Sequence, residues 1–109
     1  MVKKSALNSA MKKARLFYAR TRSELPIRKM FLYGSYAAGH PDKESDIDIG
    51  VVLDSSKTTD LYSAGLHLWR IAHSIDVKIE PFCILSDEYE SCEPASILAE
   101  IKRTAVSIE

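Results

Sequence analysis

A chain of 109 residues is the length of one domain, occupying residues 1–109 and able to bury a single core. Its 15 basic and 15 acidic side chains cancel, which argues against a dedicated binder of long nucleic acid. The lysines near the N-terminus have no apolar run behind them, no stretch approaches 18 apolar residues, and Cys83 and Cys92 lack metal-ligand spacing or a disulfide framework, so a soluble cytoplasmic protein without a membrane partner is expected.

The neutral total hides an asymmetry. The first 30 residues carry Lys3, Lys4, Lys12, Lys13, Arg15, Arg20, Arg22, Arg28 and Lys29 against only Glu24, and the remainder is correspondingly acidic. Leu7, Met11, Ala14 and Tyr18 recur at helical spacing, widened by Ala10 and Phe17, which predicts a helix over 4–23 that ends before Pro26. Its lysines and arginines occupy the opposite, solvated face.

A first strand is expected over 27–33, where Met30-Phe31-Leu32-Tyr33 reads as a segment buried on both faces. It stops at Gly34-Ser35, small residues that allow a sharp turn and a close approach to a ligand. Beyond a polar loop (40–44), in which His40 is read as structural or solvent-facing, a second strand is expected over 46–53. Side chains alternate across a strand, so Asp46 and Asp48 share one face and Ile47 and Ile49 the other. Two carboxylates roughly 6–7 Å apart on one face repel each other unless a cation lies between them. Such oxygen ligands suit Mg²⁺, which is commonly held by one or two carboxylates together with substrate phosphates. Gly34-Ser35 falls beside the acids, where backbone N–H groups and a hydroxyl can hold phosphate oxygens.

Asp54-Ser55-Ser56 reads as a turn, and Thr58 or Thr59 as the cap of a helix running to about His73, with Asp60 in its first turn. Leu61, Ala64, Leu68, Ile71 and Ala72 form its buried stripe, and Trp69 covers an edge. His67 and His73 are six apart, point to different faces and make no helical metal pair. A third strand is expected over 75–84, with Val77 and Ile79 toward the core and Asp76, Lys78 and Glu80 on the opposite face. Pro81 marks it as an edge or strand end. A polar turn or short helix over 86–90, a last helix starting at Pro94 with Ile97, Leu98 and Ile101 as its apolar side, and a short closing strand at Val106 and Ile108 complete the chain. The expected fold class is α/β (α+β), a small mixed β-sheet with helices packed on it.

Gly34-Ser35-Tyr36-Ala37-Ala38-Gly39 with Ser45-Asp46-Ile47-Asp48 resembles the signature of the DNA polymerase beta-like nucleotidyltransferase superfamily, over roughly residues 27–106. The short length makes the chain similar to the minimal nucleotidyltransferase (MNT) group, whose members are commonly the antitoxin partners of helical HEPN proteins in toxin–antitoxin pairs. The resemblance implies an enzyme that moves a nucleoside monophosphate, AMP from ATP, onto an acceptor hydroxyl at a two-Mg²⁺ site. It also implies roles. Asp46 and Asp48 would be metal ligands and catalytic acids, and Gly34, Ser35 and Lys78 would hold the nucleotide's phosphates. The third carboxylate would be Asp76 or Glu80. The pattern Ile75-Asp76-Val77-Lys78-Ile79 resembles the third-acid strand of DNA polymerase beta, which places Asp76 ahead. Implied partners are a nucleoside triphosphate and a HEPN-type helical protein, with homo-oligomerisation open. The group often has Arg where this chain has Ala38, a departure that keeps a second reading in view: a non-catalytic antitoxin that neutralises its partner by complex formation.

Overall fold

The computed structural model describes residues 2–39, 41 and 45–108, with side chains from Ser5 onward. In chain order the elements are α1 (Val2–Thr21), β1 (Ile27–Tyr33), α2 (Ser35–Ala38), β2 (Ile47–Leu53), α3 (Leu61–Ile75), β3 (Ile79–Leu85), α4 (Ser86–Glu90), α5 (Ile97–Thr104) and β4 (Val106–Ile108). The strands form one mixed sheet in the order β3-β2-β1-β4. β1 runs antiparallel to β2 and β4, and α3 is the crossover that makes β3 parallel to β2. The expected class is the one found.

One sheet face carries most of the core. Met30, Leu32, Ile47, Ile49, Val51, Leu53 and Ile79 pack there against Ala10, Met11, Ala14 and Phe17 of α1 and Ala64, Leu68 and Ala72 of α3. The predicted helical stripes of α1 and α3 are buried or partly buried except at Leu61, which opens α3 and is exposed. On the opposite face Phe31, Val52 and Ile84 pack beneath Tyr89, Leu98, Ile101 and Ala105. Central β1 is buried on both sides, which is why Met30-Phe31-Leu32 is continuously apolar rather than alternating.

The helix ends differ from the sequence expectation, and local hydrogen bonding explains each. α1 stops at Thr21, whose buried hydroxyl donates to the Phe17 carbonyl at 2.9 Å, so a turn intervenes before Pro26. Asp60, not Thr58 or Thr59, caps α3, its Oδ1 accepting from the Ser63 N–H at 3.1 Å. α5 begins at Ile97, because Ser96 Oγ accepts from the Ala99 N–H at 3.1 Å; Pro94 lies in the preceding turn and Ile97 is 82% exposed. α3 continues past His73 to Ile75, and β3 starts only at Ile79. Val77, expected to face the core, is consequently exposed in the intervening turn.

Gly50 is required by a close approach. It pairs with Phe31 across β1 and β2, and a Cβ there would overlap the Phe31 ring, itself locked in the centre of the second core. Gly50→Ala is expected to cost about 2–3 kcal/mol, as overpacking a filled core does. Urea unfolding should read this as a lower midpoint at unchanged slope.

Candidate active site

Asp48 and Glu80 meet where β2 pairs with β3. Asp48 is in register with Tyr33 on β1 and with Glu80 on β3, so the three residues form a row on one sheet face. Asp46 lies one residue before β2 and is exposed. Partial burial pushes the Asp48 carboxyl above its ordinary value, and the negative charges of Asp46 and Glu80 push it further. Burial, and after it the negative charges of Asp48 and Glu80, raise the Tyr33 phenol as well. The expectation that Asp46 and Asp48 repel each other is thus realised, with Glu80 as a second source of repulsion.

Gly34 closes the row from above. Its φ of 77° and ψ of −152° lie in a region that essentially only glycine enters, and a Cβ on it would overlap Asp48 Oδ2. The backbone therefore lies directly on the carboxylate. The single turn α2 follows, with the Ala38 N–H donating to the Gly34 carbonyl at 3.0 Å and Gly39 in the left-handed conformation ending it. Ser35 opens α2 half-buried, and Ala38 is exposed. His40 and residues 42–44 of the motif loop lie outside the described residues.

The placement of Asp76 corrects the expectation of a third strand beginning at Ile75. Asp76 is the C-cap of α3; its Oδ2 accepts from Lys13 Nζ of α1 at 2.5 Å, and its Oδ1 from the Lys78 N–H at 2.8 Å. The hydrogen bond from Lys13, with that from the Lys78 backbone, holds the Asp76 carboxyl below its ordinary value. Lys78 stays exposed at the entrance to β3, and its carbonyl accepts from the Ile47 N–H at 2.8 Å, which joins the starts of β2 and β3. Of the two candidates for a third acid, Glu80 is the one placed beside Asp48.

Two residues at the site carried no sequence signal of their own. Tyr33 reads as the last apolar residue of a strand, and only the register with Asp48 reveals it as the acids' neighbour. His73 reads as an ordinary helix residue, yet its Nε2 lies 3.8 Å from Glu80 Oε1 and its ring packs on Trp69 at 4.1 Å between centroids. His67 is unconnected to the acids and pairs with Glu24 at 2.8 Å.

The donor set is all oxygen and suits a hard divalent cation. Among the described residues no three Asp, Glu, His or Cys side chains converge tightly enough to cage an ion unaided. Asp46 and Asp48 nonetheless fit a site completed by substrate phosphates, since the repulsion that raises Asp48 is the charge a cation would relieve.

An apolar groove of about 450 Å³ lies between α3 and β3, lined by Leu61, Tyr62, Leu66 and Trp69 of α3 and by Pro81 and Phe82 of β3. Phe82 packs edge-on against Tyr33, with ring centroids 6.5 Å apart. No described helix is long and apolar enough to cross a membrane.

Comparison with known proteins identifies the fold and the family. A search of curated proteins found no match. Among solved structures, the fold is similar to a Sulfolobus solfataricus protein designated a nucleotidyltransferase, with a TM-score of 0.71 over 98% of this chain and 86% of that one, at 18% identity. The family model for the nucleotidyltransferase domain matches residues 15–101, which include the Gly34-Ser35 turn, Asp46, Asp48, Asp76 and Glu80. The chain belongs to the nucleotidyltransferase domain family.

Proposed function

We propose that this protein transfers a nucleoside monophosphate, AMP from ATP, onto a hydroxyl of a protein partner, as the MNT antitoxin of a HEPN-type toxin. The observation that carries the transfer reading is Asp48, crowded by Asp46 and Glu80 and covered by the Gly34 backbone, a negative cluster that suits a nucleotide-bound cation. Asp46 and Asp48, with Glu80 as the third carboxylate, would hold Mg²⁺, which when bound supplies charge neutralisation on the triphosphate and the attacking oxygen. Gly34 and Ser35 bind the β- and γ-phosphates, and Lys78 adds positive charge beside them. Glu80 orients the acceptor hydroxyl and takes its proton as the new bond to the α-phosphorus forms and pyrophosphate leaves. Catalysis of this kind is mainly positioning and electrostatics, so the placement of these groups is most of what the chain contributes.

A protein acceptor is supported by the apolar groove between α3 and β3. Leu61, Tyr62, Leu66, Trp69 and Phe82 are all more than a third exposed, a surface suited to apolar side chains rather than to phosphates. Zero net charge points the same way. The HEPN identity of the partner rests on the resemblance of the motif to the MNT group. Ala38 favours a second reading, a binding module that covers its partner without modifying it, because no guanidinium stands at that exposed place on α2.

Co-expression with the neighbouring open reading frame, followed by intact-mass measurement, tests both. The expected result is a complex whose partner has gained the mass of one or more nucleoside monophosphates. A complex with unmodified partner supports the binding module, and a chain that binds no neighbour and modifies only small molecules overturns the protein-acceptor reading.

A further inference from the structure

We propose that His73 is a positioning residue for Glu80, holding its carboxylate at the nucleotide site from the far side of β3. The proposal rests on the reading of Asp46, Asp48 and Glu80 as the acid set.

Trp69 and His73 are four apart on α3 and therefore share a face. Their rings pack at 4.1 Å between centroids, which restricts the imidazole. The side chain of His73 is 22% exposed, but its Nε2 is fully buried and has no hydrogen-bond partner among the described residues. A buried polar nitrogen without a partner is unusual enough in a folded protein to need an explanation. The neighbour that supplies one is Glu80, whose Oε1 lies 3.8 Å away, just beyond hydrogen-bond distance. The Glu80 side chain is about half exposed, so a small rotation closes that gap without disturbing the core.

The two ends of Glu80 thus face different elements. Its backbone is registered with Asp48 through the parallel β2–β3 pairing, and its carboxylate lies 3.8 Å from His73 Nε2 on α3. A flexible glutamate on an edge strand would otherwise sample many rotamers, and the charge on Asp48 pushes it away. An N–H from Nε2 to Oε1 leaves the second carboxylate oxygen for the cation or the acceptor hydroxyl. Hydrogen-bonded supports of this kind are what orient metal-site carboxylates.

The test is an electron paramagnetic resonance titration of free Mn²⁺ against the full chain with a non-hydrolysable ATP analogue. His73→Phe keeps a ring against Trp69 and removes the donor; it should weaken Mn²⁺ binding about 10–100-fold with little change in circular dichroism or Tm. His73→Gln restores an N–H near the same place and should recover affinity to within about threefold of wild type. In a Glu80→Gln background His73→Phe should add no further loss, since the two act as one unit. Wild-type affinity in His73→Phe, failure of His73→Gln to rescue, or an undiminished effect in the Glu80→Gln background each overturns the proposal. If the phenyl ring prevents folding, His73→Met makes the same comparison with His73→Gln. Binding lost in Asp48→Asn but kept in His73→Phe sinks the role of His73 alone. A wild-type chain that binds no Mn²⁺ sinks the acid set and this proposal together.

Discussion

Asp48→Asn should abolish nucleotide transfer, by about 1,000-fold or more, while making the metal-free protein more stable. The loss follows from the proposed role of Asp48 as ligand of a cation that would supply several kcal/mol of charge stabilisation, each 1.4 kcal/mol being about tenfold in rate. The gain follows from the raised Asp48 carboxyl. A carboxyl whose folded value lies above its unfolded one binds its proton more tightly in the folded state, so ionisation weakens the fold. That penalty is absent below the unfolded value of 3.8, develops as pH rises toward the folded value, and is constant above it. Asparagine removes it, and because the group is partly solvated the benefit at neutral pH is small, about 1–3 °C in Tm. The two melting curves should converge as pH falls below the unfolded value. Adding Mg²⁺ with ATP should reverse the order, stabilising wild type and leaving Asp48→Asn unmoved. Transfer at the wild-type rate in the variant would remove Asp48 from the site.

Glu80→Gln and Asp76→Asn should separate cleanly, with opposite effects on activity and stability. Glu80→Gln removes the carboxylate across from Asp48 and is expected to slow transfer about 100-fold or more, in the range of losing a positioned general base. Stability should hold or rise slightly, since one of the charges raising Asp48 is gone. Asp76→Asn should transfer nucleotide at close to the wild-type rate. Its cost is structural, because the Asp76 carboxylate links α1 to the α3–β3 turn through Lys13 and the Lys78 N–H. The depressed Asp76 value means this stabilisation is present above 3.8 and is lost as pH falls through the folded value. The stability gap between wild type and Asp76→Asn should therefore be open at neutral pH and close in acid. Inactivity of Asp76→Asn together with an active Glu80→Gln would return the third-acid role to Asp76.

What the sequence determined by itself was whatever depends on neighbours close along the chain. The stripe of Leu7, Met11, Ala14 and Tyr18, the apolar run ending at Tyr33 and the alternation of Asp46-Ile47-Asp48-Ile49 all follow from the geometry of a helix or strand, and each is found where that geometry puts it. The placement of Asp46 and Asp48 beside a glycine turn was legible for the same reason, although the overlap that makes Gly34 obligatory needed the coordinates. Which of Asp76 and Glu80 stands beside Asp48 was not legible. Asp76 and Glu80 have the same strand parity, so alternation could not choose between them. The choice fell to where α3 ends, and that end is decided by a remote partner: Lys13, 63 residues earlier, and the Lys78 N–H hold Asp76 in a turn before any strand begins. The parallel pairing then sets Glu80 against Asp48 and brings His73 to its side. Register between β2 and β3 is a contact made across a whole crossover helix, and no local pattern of residues encodes it.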